Sequence, residues 1–326
     1  MREITYREAI NEALKEEMRK DDKVVLFGED IAEYGGAFQV TKGLLKEFGS
    51  DRVKNTPISE VAIIGTAIGS SIVGLRPIAE LMFNDFIFVA GDQVVNQMAK
   101  LRYMTGGQLK LPLTVRMPMG AGLSQAAQHA QCVMGMFINV PGLKIVCPSN
   151  PYDAKGILKS AIRDNNPVLV FEHCMLYDMK GEVPENDYTI PLGKADIKRE
   201  GKDITIVAIS QMVGKSLNVA KKMGEKGIDI EVIDPISLVP LDIDTIINSV
   251  KKTGKVIVTY NGPTSNGAGT EIVAKISEFA FDYLDSPIYR VAEKDCPIPF
   301  APDLESYIIP QEEDIVEAIE KIIDLD

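Results

Sequence analysis

Short apolar runs alternate with amphipathic stretches along the whole chain. The runs predict buried strands at 23–27, 77–82, 111–117, 144–147 and 167–171 in the first half, and at 204–209, 230–233, 256–259 and 288–291 in the second. The stretches between them place apolar residues three and four positions apart, which is the helical period. Strands that alternate with helices in this way predict mainly parallel sheets flanked by helices.

A polar stretch separates the two halves of this pattern. Residues 178–202 are rich in charged residues, glycine and proline, a composition typical of a connection between domains. The length of 326 residues also suggests about two domains. We therefore predict an α/β protein with a first domain at 1–180, a linker at 181–202 and a second domain at 203–326, each built on a mainly parallel sheet flanked by helices.

The stretch Thr56–Glu60 is the strongest candidate for a site. Pro57 keeps the chain extended, and Ser59 can cap a helix that begins at about Glu60. No charged residue follows until Arg76, so we expect a buried helix with one carboxylate at its start. Glu60 can be interpreted as a surface residue that stabilises a helix N-terminus. It can also be interpreted as a carboxylate in an apolar cleft that binds a protonated nitrogen of a ligand.

Two glycines in the same predicted helix lie four residues apart and therefore share one face. They are Gly65 and Gly69, and each costs a helix about 1 kcal/mol relative to alanine. That cost predicts the close approach of another backbone or of a ligand.

Three further residues are candidates because of their positions. Glu29 follows a predicted strand directly, where open α/β sheets bind ligands, although a loop cap is the alternative. Phe86 follows the next strand, and an aromatic residue at such a position most often belongs to the core. His129 is one of two histidines and could be functional or structural.

Composition excludes some classes of function. A net charge of −12 argues against nucleic-acid binding, which requires a basic face. Four cysteines without Cys-x-x-Cys spacing predict buried, reduced thiols, and the N-terminus carries no secretion signal. The apolar run after Glu60 is too short to span a membrane. We expect a cytoplasmic protein with no membrane or nucleic-acid partner. The glycine-rich segments lack the patterns that bind nucleotide phosphates.

Several ordered motifs run nearly from end to end: Met1–Ala9, Gly28–Asp30, Thr56–Glu60, Gly74–Pro77, Ala127–His129, Pro151–Gly156 and Ile298–Ala301. In these motifs the chain resembles the beta subunit of the thiamine-diphosphate-dependent decarboxylase component of 2-oxoacid dehydrogenase complexes, and most of all the pyruvate and acetoin members. The resemblance implies a thiamine-diphosphate pyrimidine-binding domain followed by a transketolase C-terminal-like domain that serves assembly and partner docking.

The resemblance also implies roles for single residues. Glu60 would contact the pyrimidine ring of thiamine diphosphate and activate the cofactor, with Phe86 packed on the ring and Glu29 as a further cofactor-binding residue. His129 would assist transfer to the lipoyl group. A potassium site is a further expectation, and a plain helix C-terminal turn is its alternative; the ligands would be Leu113, Ala161, Ile162, Asp164 and Asn166.

The partners follow from what the chain lacks. Family members hold the cofactor diphosphate through Mg²⁺ with a Gly-Asp-Gly motif, which is absent here. The resemblance therefore implies that thiamine diphosphate is shared with an alpha subunit that holds the Mg²⁺, in an alpha2-beta2 heterotetramer. The other partners would be a small 2-oxoacid and a lipoyl-bearing dihydrolipoyl acyltransferase.

The acidic final helix, predicted at 311–323, is a candidate docking surface for that acyltransferase, and an ordinary solvated helix is the alternative. Its acidic residues are Glu312, Glu313, Asp314, Glu317 and Glu320, followed by Asp324 and Asp326. Two segments of the second domain, Tyr260-Asn261 and Pro235-Ile236-Ser237, depart from the family pattern. These departures leave the partner contacts open.

Other functions remain open at this point. An acetoin dehydrogenase beta subunit is the nearest alternative, since the sequence does not choose between pyruvate, acetoin and other short 2-oxoacids. A transketolase or deoxyxylulose-phosphate synthase relative would carry both halves of the cofactor site in one chain, and the missing Gly-Asp-Gly argues against it. A catalytically silent interaction subunit is the third alternative, against which Glu60 and His129 argue.

Overall fold

The computed structural model describes residues 1–323 and divides into two compact units. The first unit consists of Met1–Met119 and Phe137–Leu192. The second consists of Gly120–Met136 and the chain from Gly193 onward. The division after Leu192 falls inside the predicted connection at 181–202. The segment 120–136, which carries His129, belongs to the second unit although the sequence pattern placed it in the first domain.

The elements of the first half follow one another as strand and helix. In chain order they are β1 (Arg2–Thr5), α1 (Tyr6–Lys20), β2 (Val24–Gly28), α2 (Leu44–Phe48), β3 (Val53–Asn55), α3 (Glu60–Ile72), β4 (Arg76–Glu80), α4 (Leu101–Met104), β5 (Thr114–Met119), α5 (Gly135–Ile138), β6 (Lys144–Val146), α6 (Pro151–Arg163), β7 (Val168–His173) and β8 (Lys180–Val183).

The main sheet of the first unit is parallel. Within this unit its strands lie in the order β6-β7-β5-β4-β2-β3, and every neighbouring pair runs in the same direction. The strands β1 and β8 form a separate antiparallel pair. Strands β2, β5 and β7 are buried throughout, as their largely apolar sequences predicted.

Helix α3 begins where the sequence predicted. The Ser59 hydroxyl accepts the backbone N–H of Ala62 at 3.4 Å, so the predicted cap is confirmed. The prediction that the whole helix is buried is wrong. One face, with Ile64 and Ile68, is buried, whereas Val61 and Ile72 on the other face are about two-fifths exposed.

The stretch 89–104 has the apolar spacing of a helix, but it does not form one continuous α-helix. A π-helical segment spans Gln93–Met98, and only Leu101–Met104 forms an α-helix after it. Apolar periodicity cannot distinguish these geometries, because an added residue within one turn shifts the buried face only slightly.

A buried ion-pair cluster joins three strands of the first unit. The Arg116 side chain on β5 is 1% exposed and bonds Glu80 on β4 and Glu172 on β7. Its Nε donates to Glu172 Oε1 at 2.9 Å, and the Tyr177 hydroxyl donates to Glu172 Oε2 at 2.8 Å. Burial raises the pKa of Glu80, although the Arg116 charge opposes the rise. We call Arg116, Glu80 and Glu172 the central ion-pair cluster.

The second half repeats the alternation of strands and helices. Its elements are β9 (Asp196–Arg199), β10 (Ile204–Ala208), α7 (Gln211–Gly224), β11 (Ile230–Asp234), β12 (Ser237–Val239), α8 (Ile243–Thr253), β13 (Val256–Pro263), α9 (Thr270–Ala280), β14 (Tyr289–Glu293), α10 (Pro302–Ile308) and α11 (Glu312–Ile323).

The sheet of the second unit has the strand order β14-β13-β10-β11-β9. Only β9 is antiparallel to its neighbour. Helices α7 and α11 pack on one face of this sheet through Met212, Val219, Ile315 and Ile319. The predicted fold class, two α/β domains with mainly parallel sheets flanked by helices, is confirmed.

Some acidic side chains of the final helix already bond other groups of the second unit. The Glu312 carboxylate accepts bonds from Asn218 at 2.8 Å and Lys222 at 2.6 Å, both on α7. Asp314 accepts the backbone N–H of Gln311 at 2.7 Å. These acidic residues are therefore less available to a partner than the sequence suggests. Asp324 and Asp326 lie outside the described residues.

Two observations bear on the predicted environment of the chain. All four cysteines are free thiols, but Cys296 is exposed, so the prediction that all four are buried is wrong. Among residues 1–323, none of the helices combines the length and the apolar character needed to cross a bilayer.

The central ion-pair cluster gives a stability prediction. Arg116→Met removes the cation and leaves two buried carboxylates without it. We expect the free energy of unfolding at neutral pH to fall by about 3–5 kcal/mol. The folded-state pKa of Glu80, already raised by burial, should rise further. A carboxyl whose pKa is higher in the folded state stabilises the protein at low pH and loses that effect as pH rises, so the deficit should be smaller at pH 5 than at pH 8.

Denaturant unfolding at both pH values measures this effect. Arg19→Met is the matched control, because Arg19 forms an ion pair with Glu47 while 58% of its side chain is exposed. An exposed pair of this kind contributes about 0–1 kcal/mol. Equal losses in the two variants would contradict the prediction.

Candidate functional site

Two buried carboxylates meet at the carboxyl edge of the first unit's sheet. Glu29 follows strand β2 directly, and Glu60 is the first residue of α3. The backbone N–H of Thr56 donates to the carbonyl oxygen of Gly28 at 2.9 Å, which fixes the approach to α3 beside the end of β2. Glu60 is 6% exposed and Glu29 is 8% exposed, so Glu60 is not the solvated surface residue of the simpler interpretation.

Neighbouring charges and burial change the acidity of Glu29. Burial raises the pKa of Glu29, and the negative charges of Glu60 and Asp30 raise it further. Glu29 therefore holds its proton more tightly than an exposed glutamate does. Buried carboxylates that repel each other in this way are typical of sites where a proton is exchanged.

Two polar atoms at this edge are buried and lack a hydrogen-bond partner in the described part of the chain. They are Glu29 Oε1 and Thr56 Oγ1. Buried polar atoms are nearly always paired, so each such atom indicates a water or ligand group that completes the site. A ring that carries both donor and acceptor nitrogens fits this set of oxygen atoms.

Aromatic side chains form a cluster in the same unit. Phe86 lies on a 3₁₀ turn after β4, is half-buried, and meets Phe83 edge to face with ring centroids 6.2 Å apart. Phe83 meets Phe38 in the same way at 5.8 Å, and Phe38 stacks on Tyr177 at 4.8 Å. Because the Tyr177 hydroxyl bonds Glu172, this cluster is tied to the central ion-pair cluster.

The loop after β2 is packed against the central ion-pair cluster. Gly36 lies in this loop at a φ of +80°, and a Cβ atom on it would stand 2.8 Å from Glu80 Oε1. Glycine is therefore required here for two reasons, the left-handed backbone and the close approach. The contact braces the loop that begins at Glu29.

His129 lies in the second unit, whereas Glu29, Glu60 and Phe86 lie in the first. Its side chain is half-buried. It belongs to an irregular segment between β5 and α5, in which the His129 N–H meets the Ala126 carbonyl oxygen at 3.5 Å. The segment has no regular secondary structure, which suits a functional histidine on a loop.

A cavity of about 590 Å³ in the second unit borders this segment. Ala127 and Gln131 lie on one side of it and Glu293 on another. Burial raises the pKa of Glu293 to about 7, opposed by the Gly262 N–H and the Lys215 charge. Glu293 therefore titrates near neutral pH, a property that sequence patterns did not indicate.

The residues predicted as potassium ligands lie where α6 ends, except Leu113, which directly precedes β5. Arg76 donates to the carbonyl oxygens of Ile162 at 2.7 Å and Asp164 at 2.8 Å. Arg102 donates to the carbonyl oxygen of Asn165 at 3.1 Å and to the Asn166 side chain at 2.5 Å. Two guanidinium groups thus already contact this loop.

These contacts limit how an ion would fit. The carbonyl oxygen of Ala161 accepts the Asp164 N–H at 3.3 Å, and that of Leu113 accepts the Val168 N–H at 3.0 Å. A carbonyl oxygen has two lone pairs, so each of these atoms keeps capacity for an ion. Such an ion would lie close to the Arg76 charge, which disfavours tight binding.

Sequence reasoning missed the central ion-pair cluster. A signal was present, because Arg116 interrupts an apolar run that predicts a buried strand. A cation in such a strand requires an anionic partner, and Glu80 and Glu172 lie in or beside other buried runs. The partners could be named only once the strand order was known.

Two family models match the chain. The transketolase pyrimidine-binding domain matches residues 2–180, and the transketolase C-terminal domain matches residues 193–315. A solved structure described as a split-gene transketolase in an inactive beta4 tetramer aligns with a TM-score of 0.82 and 25% identity, over 99% of both chains.

Curated relatives are similar over nearly their whole length. The beta subunit of acetoin:2,6-dichlorophenolindophenol oxidoreductase from Bacillus subtilis is 50% identical, over 97% of this chain and 96% of that protein. The beta subunit of the pyruvate dehydrogenase E1 component is 47% identical in Rickettsia felis and 44% identical in Bacillus subtilis, over at least 98% of each chain. These matches confirm the resemblance, and the chain belongs to the transketolase-like family of pyrimidine-binding and C-terminal domains that includes these beta subunits.

Proposed function

We propose that this chain is the beta subunit of a 2-oxoacid dehydrogenase decarboxylase component and that pyruvate is its principal substrate. The relatives are oxidoreductase components, and the transketolase-like family is associated with thiamine diphosphate. The observation that carries the proposal is the buried pair Glu29 and Glu60 at the carboxyl edge of the pyrimidine-binding domain. An acetoin dehydrogenase subunit is the second candidate, favoured by the 50% identity to one such protein.

The chain's own residues fit the pyrimidine half of thiamine diphosphate. When bound, this cofactor supplies a nucleophilic carbon that adds to the 2-oxo group and stabilises the charge left by decarboxylation. Glu60 would hold the proton of a ring nitrogen, and the raised pKa of Glu29 would limit the negative charge beside it. The unpaired Glu29 Oε1 and Thr56 Oγ1 would bond the ring substituents, and Phe86 would pack on the ring face.

Transfer to the lipoyl group would depend on His129. An imidazole nitrogen can hold or release a proton as the lipoyl disulfide opens. The acceptor would be the lipoyl group of a dihydrolipoyl acyltransferase, so the proposed activity requires the complete complex.

An alpha subunit would supply the diphosphate half of the site. The sequence contains no Gly-Asp-Gly, so the Mg²⁺ and the cofactor diphosphate would bind to that subunit, in an alpha2-beta2 heterotetramer. The exposed face of α3 is suited to contact the alpha subunit. Apart from the adjacent residues and the nearby backbone of the helix itself, nothing in the described chain lies within 4 Å of a Cβ built on Gly65 or Gly69. Val61 and Ile72 add exposed apolar surface. A partner backbone could approach this face closely.

Three further features belong to the proposal. The loop at 161–166, together with Leu113, would bind K⁺ weakly through the second lone pairs of its carbonyl oxygens. The second domain would dock a basic module of the acyltransferase, for which Glu313 and Glu320 remain candidates on the final helix. Glu317 on the same helix already forms an ion pair with Lys321 at 2.7 Å. The protein would work in the cytoplasm.

Glu60→Gln tests the proton-transfer role. The amide keeps the size of the side chain and the fold but removes the charged acceptor, so we expect turnover of the assembled enzyme to fall about 10²–10⁴-fold. The measurement is the rate of pyruvate decarboxylation with an artificial electron acceptor. Glu271→Gln is the matched control, because Glu271 lies in the first turn of α9 and is exposed. Near wild-type turnover of Glu60→Gln would refute the role.

Cofactor affinity tests the shared site. The isolated chain should bind thiamine diphosphate and Mg²⁺ weakly, and addition of the cognate alpha subunit should tighten binding greatly. Isothermal calorimetry measures both cases. Tight, Mg²⁺-dependent binding by the isolated chain would show that a diphosphate site exists without the alpha subunit.

His129→Ala tests the lipoyl step. Because the imidazole would act after decarboxylation, reductive acylation of the lipoyl domain should fall much more than decarboxylation measured with an artificial acceptor. Gln128→Ala, which alters the exposed neighbour, serves as the control. An equal loss in the two assays would assign His129 to an earlier step or to the structure.

A further inference from the structure

The loop that carries His129 has an unusual backbone. It is closed by a hydrogen bond from the Gly120 N–H to the Gln131 carbonyl oxygen at 3.1 Å. Four of its residues have positive φ angles: Gly120 at 92°, Gly122 at 120°, Ser124 at 53° and Ala126 at 60°. Outside glycine this conformation costs about 1–2 kcal/mol per residue. A loop of this kind keeps one conformation only if contacts from elsewhere stabilise it.

One buried side chain provides such contacts. Glu305 lies on α10 and is 3% exposed. Its Oε1 accepts the backbone N–H groups of Gly122 at 2.9 Å and Ser124 at 3.2 Å, and its Oε2 accepts the Ser124 N–H at 3.0 Å. Bonds between a carboxylate and backbone N–H groups are charge-assisted and stronger than neutral ones. The carboxylate therefore fixes two amides on either side of Leu123.

Apolar packing holds the other end of the loop on the same structure. Ala121 and Ala130 belong to a small buried cluster with Ile298, Ile308 and Ile309. Ala130 is the residue after His129, and Ile308 is the last residue of α10. The loop is thus packed against the end of α10 both before and after the histidine in sequence.

We propose that Glu305 is the positioning residue for His129 in transfer to the lipoyl group. It does not touch the reacting atoms, and it acts by holding the strained loop in the conformation that presents the imidazole. This inference rests on the proposed role of His129. A misplacement of about 1 Å can cost on the order of 10²-fold in rate, which sets the scale of the expected effect.

The test uses the assembled alpha2-beta2 enzyme with four single variants, one of which is His129→Ala, and one double variant. Glu305→Ala removes all three bonds, whereas Glu305→Gln keeps one oxygen acceptor. Asp303→Asn alters an exposed carboxylate on the same helix and is the control. The double variant combines Glu305→Ala with His129→Ala. Each enzyme is assayed for decarboxylation with an artificial acceptor and for reductive acylation of a lipoyl domain.

The expected result is a selective loss. Glu305→Ala should lower reductive acylation about 10- to 100-fold more than decarboxylation, and Glu305→Gln should show a smaller loss of the same kind. The double variant should be no slower than His129→Ala alone, because a positioning residue has no effect once its target is absent. A purely structural role would instead multiply the two losses or lower both reactions equally, and either outcome would overturn the proposal.

Hydrogen exchange separates this inference from the proposed function. In Glu305→Ala the amides of Gly122 and Ser124 should exchange faster than in the wild type and in Asp303→Asn. Unchanged exchange would overturn the positioning role whatever the kinetics show. If His129→Ala leaves reductive acylation intact, the proposed role of His129 fails and the inference falls with it. Should Glu305→Ala fail to assemble, the comparison of Glu305→Gln with Asp303→Asn decides the question in the same assays.

Discussion

The pairing of Arg116 with Glu80 and Glu172 is the interaction on which the first unit's site depends. The arginine lies on β5, and its two partners lie on the strands to either side, β4 and β7. Two carboxylates buried without a cation would repel each other and would lose their hydration without compensation. The guanidinium group neutralises one of the two charges and bonds both partners, so the central three strands are fixed near the edge where ligands bind in such sheets.

The site is assembled above this fixed edge. The loop after β2 packs Gly36 onto Glu80, and the same loop begins with Glu29 beside Glu60. This packing helps to hold Glu29 beside Glu60, the first residue of α3, although the two carboxylates repel each other. The Tyr177 hydroxyl extends the same network to the aromatic cluster of Phe38, Phe83 and Phe86. Acid–base groups and aromatic surface thus share one rigid support, as a site that must hold its geometry requires.

Local features of the sequence predicted local features of the structure. The apolar runs gave the strands, and Ser59 gave the start of α3 at Glu60 to the residue. Local sequence patterns did not predict backbone geometry that depends on the surrounding structure. The stretch 89–104 has a helical apolar pattern, yet a π-helical segment at Gln93–Met98 interrupts it, because the pattern records which residues are buried and not how the backbone bonds.

Pairings across the chain could not be predicted in this way. Arg116 is 36 residues from Glu80 and 56 from Glu172, and only the strand order makes them neighbours. Glu305 is 183 residues from Gly122, yet its carboxylate caps the loop that carries His129. This contact with Glu305 helps to explain why the segment 120–136 belongs to the second unit. Because the segment lies within residues 1–180 of the sequence, it was predicted to belong to the first domain. A strained loop, however, takes its conformation from the contacts that stabilise it. The histidine and the carboxylate pair are therefore each supported by the contacts of their own unit.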